Sequence, residues 1–213
     1  MVSAESHPEA FLSSCQPGPN APSVWVRKVN VVLFYCLIAT AIGPVGLAWS
    51  EQGIARLQLP DADGAATLKR LLRGLPGHEE AHPPAWLEAA VVALQRYFAG
   101  TPTDLSHLPI DLAGVPDFHR ALYMEMLKLG WGETVTYGEL AERVGAPGAA
   151  QSVGTAMGRN PIPVIVPCHR VLASGNKLGG FSAPGGGRTK LKLLEMEGAR
   201  LGFTDPRQMA FAF

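Results

Sequence analysis

Residues 29–50 carry no charged side chain, and Arg27 and Lys28 stand directly before them. This run restricts the fold more than any other feature, because an uncharged stretch of its length is either a bilayer span or buried inside a globular fold. Ala39-Thr40-Ala41 imitates a signal-peptidase site. Against a span, Gly43-Pro44-Val45-Gly46 interrupts the run with turn residues. Val31 to Ile42 is rich in β-branched and aromatic residues, and Leu47 to Ser50 resumes as a second short strand. A signal peptide would also not begin after 28 residues that include Glu5 and Glu9. The run reads as a buried β-hairpin, with the membrane segment as its competitor and no membrane partner expected.

Around that hairpin the chain divides into three stretches. Residues 1–28, with Pro17-Gly18-Pro19-Asn20-Ala21-Pro22, read as a disordered tail. Residues 29–108 read as a small α+β domain with its linker. Ser50-Glu51-Gln52-Gly53 turns the chain into Ile54–Leu59, which alternates apolar and polar. A short helix follows over Ala66–Leu72, then a polar loop from Glu79 to Pro84. A longer helix runs from Pro84 to Phe98, with Trp86, Leu87, Ala90, Val91, Leu94 and Phe98 at helical spacing. Prolines 102, 109 and 116 mark the linker.

Residues 109–213 read as a mostly helical domain. Phe118, Leu122, Met126 and Leu129 share one helix face, and Gly130 ends that helix. Thr136-Tyr137-Gly138-Glu139 has the form of a capping box that opens a helix over Tyr137–Val144. Gly145-Ala146-Pro147-Gly148 turns the chain into a second helix over about 149–158, which makes a helix-turn-helix arrangement. Ala149, Ala150, Ser152, Gly154, Thr155, Ala156 and Gly158 keep this second helix thin. Such a helix either packs closely on another helix or enters a groove as narrow as the DNA minor groove, roughly 6 Å wide.

Net charge is zero overall, but residues 1–148 hold 10 Lys/Arg against 15 Asp/Glu while residues 149–213 hold 8 against 3. The C-terminal part is therefore the one suited to a polyanion. The three cysteines, Cys15, Cys36 and Cys168, form no disulfide framework and suggest a reducing, cytoplasmic setting. No Cys-x-x-Cys or His-x-x-x-His pair supports a metal site, and a set of Cys15, Cys36 and His7 is too loosely spaced to argue for one.

The reactive candidate lies in Asn160-Pro161-Ile162-Pro163-Val164-Ile165-Val166-Pro167-Cys168-His169-Arg170-Val171. Each proline fixes a backbone angle, and a thiol beside imidazole and guanidinium groups has the setting of a nucleophile. The apolar run before Cys168 reads as a strand, so His169 would reach the thiol only through a water or a turn at the strand end. His169 needs an acceptor on its other nitrogen, and Glu197 near the end of the final helix is the choice. Asn160 can fix the loop through side-chain-to-backbone bonds. A buried structural cysteine is the alternative.

The string from Tyr137 through Gly198 closely resembles the 6-O-alkylguanine-DNA alkyltransferases, or methylated-DNA–protein-cysteine methyltransferases. The resemblance is strong over about 109–198 and looser over 30–100, where it implies a small antiparallel-sheet, ribonuclease-H-like domain. It implies irreversible transfer of an alkyl group from the guanine 6-oxygen of double-stranded DNA to Cys168. In that scheme His169 activates Cys168 through a bridging water, with Glu197 completing the relay and Asn160 positioning it. Tyr137 would help rotate the nucleotide and donate a proton toward the base. The backbone N–H of Ser182 would contact the 6-oxygen, and the carbonyls of Cys168 and Val171 would hold the guanine amino group. Met157 and Phe181 would wall the flipped base. Ala149, Ala150, Gln151, Ser152, Gly154, Arg159 and Arg170 would complete the DNA-binding set.

The resemblance implies no metal or organic cofactor, because the sulfur itself is consumed. The chain is expected to act as a monomer. Gln151 stands where well-known members carry an arginine that fills the space left by the flipped base, so weaker DNA affinity is expected. The loop Ser182–Arg188 looks about two residues longer than in some relatives, which leaves the range of alkyl groups open. Two other readings compete: a non-catalytic lesion-binding relative, which would lack the cysteine, and a redox-sensing helix-turn-helix regulator, which would read the major groove with long polar side chains.

Overall fold

The computed structural model describes residues 32–75 and 77–201. The expected tail of residues 1–28 lies outside them, as do His7 and Cys15. β1 (Leu33–Thr40), β2 (Gly43–Ser50) and β3 (Gly53–Gln58) run antiparallel, and β4 (His78–Glu80) pairs with β1 in parallel. The sheet order is β3-β2-β1-β4. The sheet is thus mixed, and β4 occupies part of the stretch expected to be only a polar loop. Among the described residues no helix is long and apolar enough to cross a membrane. From Leu33 to Ser50 the uncharged run is a hairpin.

Its turn is not where the glycines and proline suggested. Ala41-Ile42 makes the turn, with Thr40 opposite Gly43, and Gly43-Pro44-Val45-Gly46 lies inside β2. Pro44 pairs with Ala39, but β3 joins β2 only from Gly46 onward, so at Pro44 the missing N–H breaks no bond to β3. Gly46 is needed for a close approach: a Cβ there would lie 3.0 Å from a methyl of Leu71. That leucine ends α1 (Gly64–Leu71), which Asp63 caps by accepting from the Ala66 N–H at 2.7 Å.

α2 (Ala85–Phe98) buries Leu87, Ala90, Leu94, Tyr97 and Phe98. These join Val45, Leu47, Trp49, Ile54 and Leu57 of the sheet in the core. Trp86, expected on the same face, is 38% exposed. The segment after α2 is stitched to the sheet edge. Ile54 donates to the Pro109 carbonyl at 2.9 Å, and Asp111 donates back to Ile54 at 2.8 Å. Gly53 permits that approach, since a Cβ there would sit 2.7 Å from the Pro109 backbone.

The remaining helices are α3 (Asp117–Met126), α4 (Tyr137–Arg143), α5 (Ala150–Gly158) and α6 (Gly187–Met196), with a two-stranded parallel pair β5 (Val135–Thr136) and β6 (Val171–Leu172). The Thr136/Glu139 capping box is present in full and starts α4. Leu122, Met126, Leu140, Val153 and Ile162 continue the same buried core that begins in the sheet. The fold is α+β, a small sheet layer followed by a helical part.

Candidate active site

The run before Cys168 is not a strand. Three prolines remove donors from any ladder, and the chain folds into a tight loop in which Val166 donates to Ile162 at 2.9 Å and Cys168 to Val166 at 2.8 Å. Val164 sits in the left-handed region at φ 77°. Asn160 closes the loop with both ends of its amide. Nδ2 donates to the Val166 carbonyl at 2.8 Å, and Oδ1 accepts from the Ile162 N–H at 3.0 Å. The Leu57 N–H of β3 donates to Pro161 at 3.0 Å and ties this loop to the sheet. Cys168–Arg170 then form one 3-10 turn, so successive side chains radiate instead of alternating.

Cys168 is 3% exposed and lies in a pocket of about 210 Å³. Tyr137, Gly154, Met157, Phe181 and Ser182 line it, all of them expected at the site, together with Gly158 and Gly180. Burial pushes the thiol pKa up, opposed by the Asn160 amide, the Lys190 charge and nearby backbone N–H groups. The resting group is therefore a thiol that needs a base. Burial also raises the Tyr137 hydroxyl, reinforced by Cys168, which keeps it a proton donor.

His169 is fully buried behind the cysteine. Its Nε2 lies 2.9 Å from Oε1 of Glu197, while Nδ1 has no hydrogen-bond partner among the described residues. Burial opposes ionisation of Glu197, but hydrogen bonds and charge from His169 and Arg170 overcome it and hold the carboxyl well below the usual range. An ionised Glu197 places the imidazole proton on Nε2 and leaves Nδ1 as an acceptor. Burial lowers the His169 pKa more than Glu197 raises it, so the ring rests neutral.

Arg170 was expected among the DNA-binding residues, and the structure places it elsewhere. It is buried, with Nε 2.8 Å from Oε2 and Nη2 2.8 Å from Oε1 of Glu197, and Nη1 2.6 Å from the Leu129 carbonyl. This two-point pairing neutralises Glu197 and takes Arg170 out of reach of the pocket. Val171, expected to offer its carbonyl to the base, gives it to Nζ of Lys190 at 2.6 Å. Gln151 and Ser152 lie exposed on α5 and Arg159 exposed just past its end, and Ala149 and Ala150 are half-buried at its start. A Cβ at Gly154 or Gly158 would meet nothing within 4 Å. Those glycines do not serve close helix packing; they open onto the pocket mouth.

Profile comparison matches residues 33–112 to the 6-O-methylguanine DNA methyltransferase ribonuclease-like domain and residues 117–199 to the DNA binding domain of the same proteins. A methylated-DNA–protein-cysteine methyltransferase of Mycobacterium tuberculosis is 38% identical over 169 residues, 79% of this chain and 94% of the relative. One of Methanosarcina acetivorans is 33% identical over 174 residues, covering 78% and 99%.

The chain belongs to the methylated-DNA–protein-cysteine methyltransferase family.

Among solved structures, Mycobacterium tuberculosis OGT in complex with DNA superposes with a TM-score of 0.62 at 36% identity, covering 77% of this chain and 92% of that one. In this methyltransferase-family chain, sequence reasoning missed three residues at the site. Tyr97 of α2 is buried and donates its hydroxyl to Oε1 of Glu197 at 2.5 Å, with Nε2 of His169 3.3 Å away. It stacks edge-on against Trp131 at 5.4 Å. A buried phenol needs a partner, and Tyr97 lies three residues after Leu94 on the apolar face, which was the available signal. Lys190 is fully buried, its pKa lowered by burial to about 8. It precedes Leu193, Leu194 and Glu197 at helical spacing, so its face was legible. Arg70 donates to the Ser182 carbonyl at 3.1 Å from 112 positions away, and no local pattern announces it.

Proposed function

We propose that this chain repairs alkylated DNA by moving a methyl or larger alkyl group from the guanine 6-oxygen to Sγ of Cys168, once per molecule. The observation that carries this reading is that Cys168 lines a narrow pocket and is followed in the chain by the buried His169, which pairs with Glu197. The partner is double-stranded DNA containing alkylated guanine, and the protein acts as a monomer in the cytoplasm. α4 and α5 serve as the helix-turn-helix, with α5 in the minor groove. Its thin face, and the absence of long polar side chains there apart from Gln151 and Arg159, suits that groove. The buried thiol cannot reach a base inside the stack, so the nucleotide must be extruded into the pocket. Gln151 would fill the gap left behind.

The chemistry then follows from the residues. Nδ1 of His169 takes the thiol proton through a bridging water, and the imidazolium is held by Glu197. The thiolate lone pair forms the new carbon–sulfur bond as the carbon–oxygen bond to the 6-oxygen breaks. The electron pair stays on the departing guanine. The Tyr137 hydroxyl and the Ser182 N–H stabilise that anion, with Tyr137 supplying its proton. Met157 and Phe181 wall the base. The product is a neutral thioether that cannot turn over, and no step calls on a metal or organic cofactor.

The test is stoichiometry. Duplex carrying 6-O-methylguanine, incubated with increasing protein and digested to nucleosides, should show guanine restored one-for-one with protein and then no further repair. Repeated turnover, or no restored guanine from excess protein, would reject the reading.

A further inference from the structure

Beside the cysteine pocket lies a second groove of about 380 Å³, formed jointly by the sheet layer and the end of α5. Arg56 of β3, Arg70 of α1 and Arg73 just beyond it line the groove together with Arg159, which follows α5. None of the lining residues is acidic. The two spaces share Gly158, Phe181 and Ser182, so the groove continues outward from the mouth that would admit a base.

The four guanidinium groups are not equally committed. Arg56 spends Nη1 on the carbonyls of Leu71 and Arg73, at 2.7 and 2.8 Å. Arg70 donates to the Ser182 carbonyl and stands 3.5 Å from Asp61, in an ion pair about one-third exposed. Arg73 and Arg159 are exposed, and neither side chain has a hydrogen-bond or ion-pair partner among the described residues. Two of the four cations are thus left without an acceptor among the described residues, and one of them, Arg73, comes from the part of the chain not assigned to DNA contact. Arg73 and Arg159, which no carboxylate pairs among the described residues, suit a phosphodiester, whose oxygens accept paired N–H bonds.

We infer that this groove holds the phosphate backbone of the damaged strand next to the extruded nucleotide, with Arg73 and Arg159 as the ligating side chains. The inference rests on the repair reading and extends it: the sheet layer becomes a second DNA-contacting surface. The strand is held in the groove by residues of both parts of the chain while its base sits in the pocket. Arg70 couples the two spaces, because the same side chain that borders the groove fixes the carbonyl of Ser182 at the pocket wall.

The test is the salt dependence of binding to fluorescein-labelled duplex containing 6-O-methylguanine, measured with the full-length chain in a Cys168→Ala background. Each lost phosphate contact should lower the log–log salt slope by about 0.9 and weaken binding roughly tenfold near 0.1 M salt. Arg73→Gln should lose one contact, and Arg73→Gln with Arg159→Gln two, while Arg73→Lys should keep the slope. Lys69→Gln, which removes an exposed charge from α1 outside the groove, serves as the control and should leave the slope as it was. An unchanged slope in Arg73→Gln, or an equal drop in Lys69→Gln, would overturn the groove assignment. A parent chain with Cys168 intact that transfers no methyl group would instead overturn the repair reading and the groove with it.

Discussion

Replacing Arg170 by Met separates a buried charge device from a DNA-contacting residue. The substitution removes the two 2.8 Å bonds to Glu197 and the 2.6 Å bond to the Leu129 carbonyl. Removing one partner of a buried ion pair typically costs about 3–5 kcal/mol. The Tyr97 hydroxyl and His169 still donate to Oε1, which puts the expected loss near the lower end, about 3 kcal/mol. For a chain of this size that is roughly 6–12 °C in Tm. The sign of the pH dependence is fixed by the same residues. In the parent protein Glu197 is held below its ordinary range, so its contribution is present above about pH 4.3 and is lost only as pH falls through the folded value. Without Arg170 the imidazolium of His169 becomes the remaining counter-charge, and its folded pKa rises. Burial still lowers His169 in both proteins, but the variant's imidazole takes up a proton at a smaller cost than the parent's, so the variant gains relative to the parent as pH falls. The deficit of the variant should therefore be largest near pH 8 and shrink by pH 5. Urea unfolding at both values measures it. A loss under about 1 kcal/mol, or the same loss at both pH values, would refute the argument.

Other outcomes follow from single contacts. Asn160→Ala removes both amide bonds that close the 160–168 loop and the contact to the thiol; it should slow single-turnover transfer and lower stability by about 2–3 kcal/mol, read by quench-flow and denaturant melts. Gly158→Ala places a Cβ in open space, so the free protein should be as stable or gain up to about 1 kcal/mol. Binding of duplex and transfer of bulky alkyl groups should fall, and a uniform loss of stability would count against the pocket-mouth role. Gln151→Arg should raise duplex affinity and repair rate; equal rates would show that glutamine fills the vacated stack equally well.

What the sequence made legible was mostly local. The Thr136/Glu139 box and the start of α4 are written within four residues, and the structure reproduces both. The loop role of Asn160 was readable for the same reason, since its partners Ile162 and Val166 lie two and six positions away. The expected strand before Cys168 failed because apolar content outweighed the prolines in the reading. Three missing donors and a left-handed Val164 make a tight loop instead. The hairpin turn failed similarly: Gly46 is glycine because Leu71 packs against it, a reason that exists only once α1 is folded onto the sheet. Tyr97 and Arg70 reach Glu197 and Ser182 across 100 and 112 positions, distances at which one sequence offers no pairing signal. Arg170 was misplaced because a cation beside a reactive cysteine reads equally well as a DNA contact or as a buried counter-ion, and only burial distinguishes them.

The most direct test of the central claim is intact-protein mass after incubation with duplex carrying 6-O-methylguanine, with unmodified duplex and Cys168→Ala as controls. The account predicts a gain of one methyl group, mapped to the peptide containing Cys168 and absent from both controls. Tight binding of the damaged duplex with no gain in mass, or a methyl group found on another residue, would contradict it.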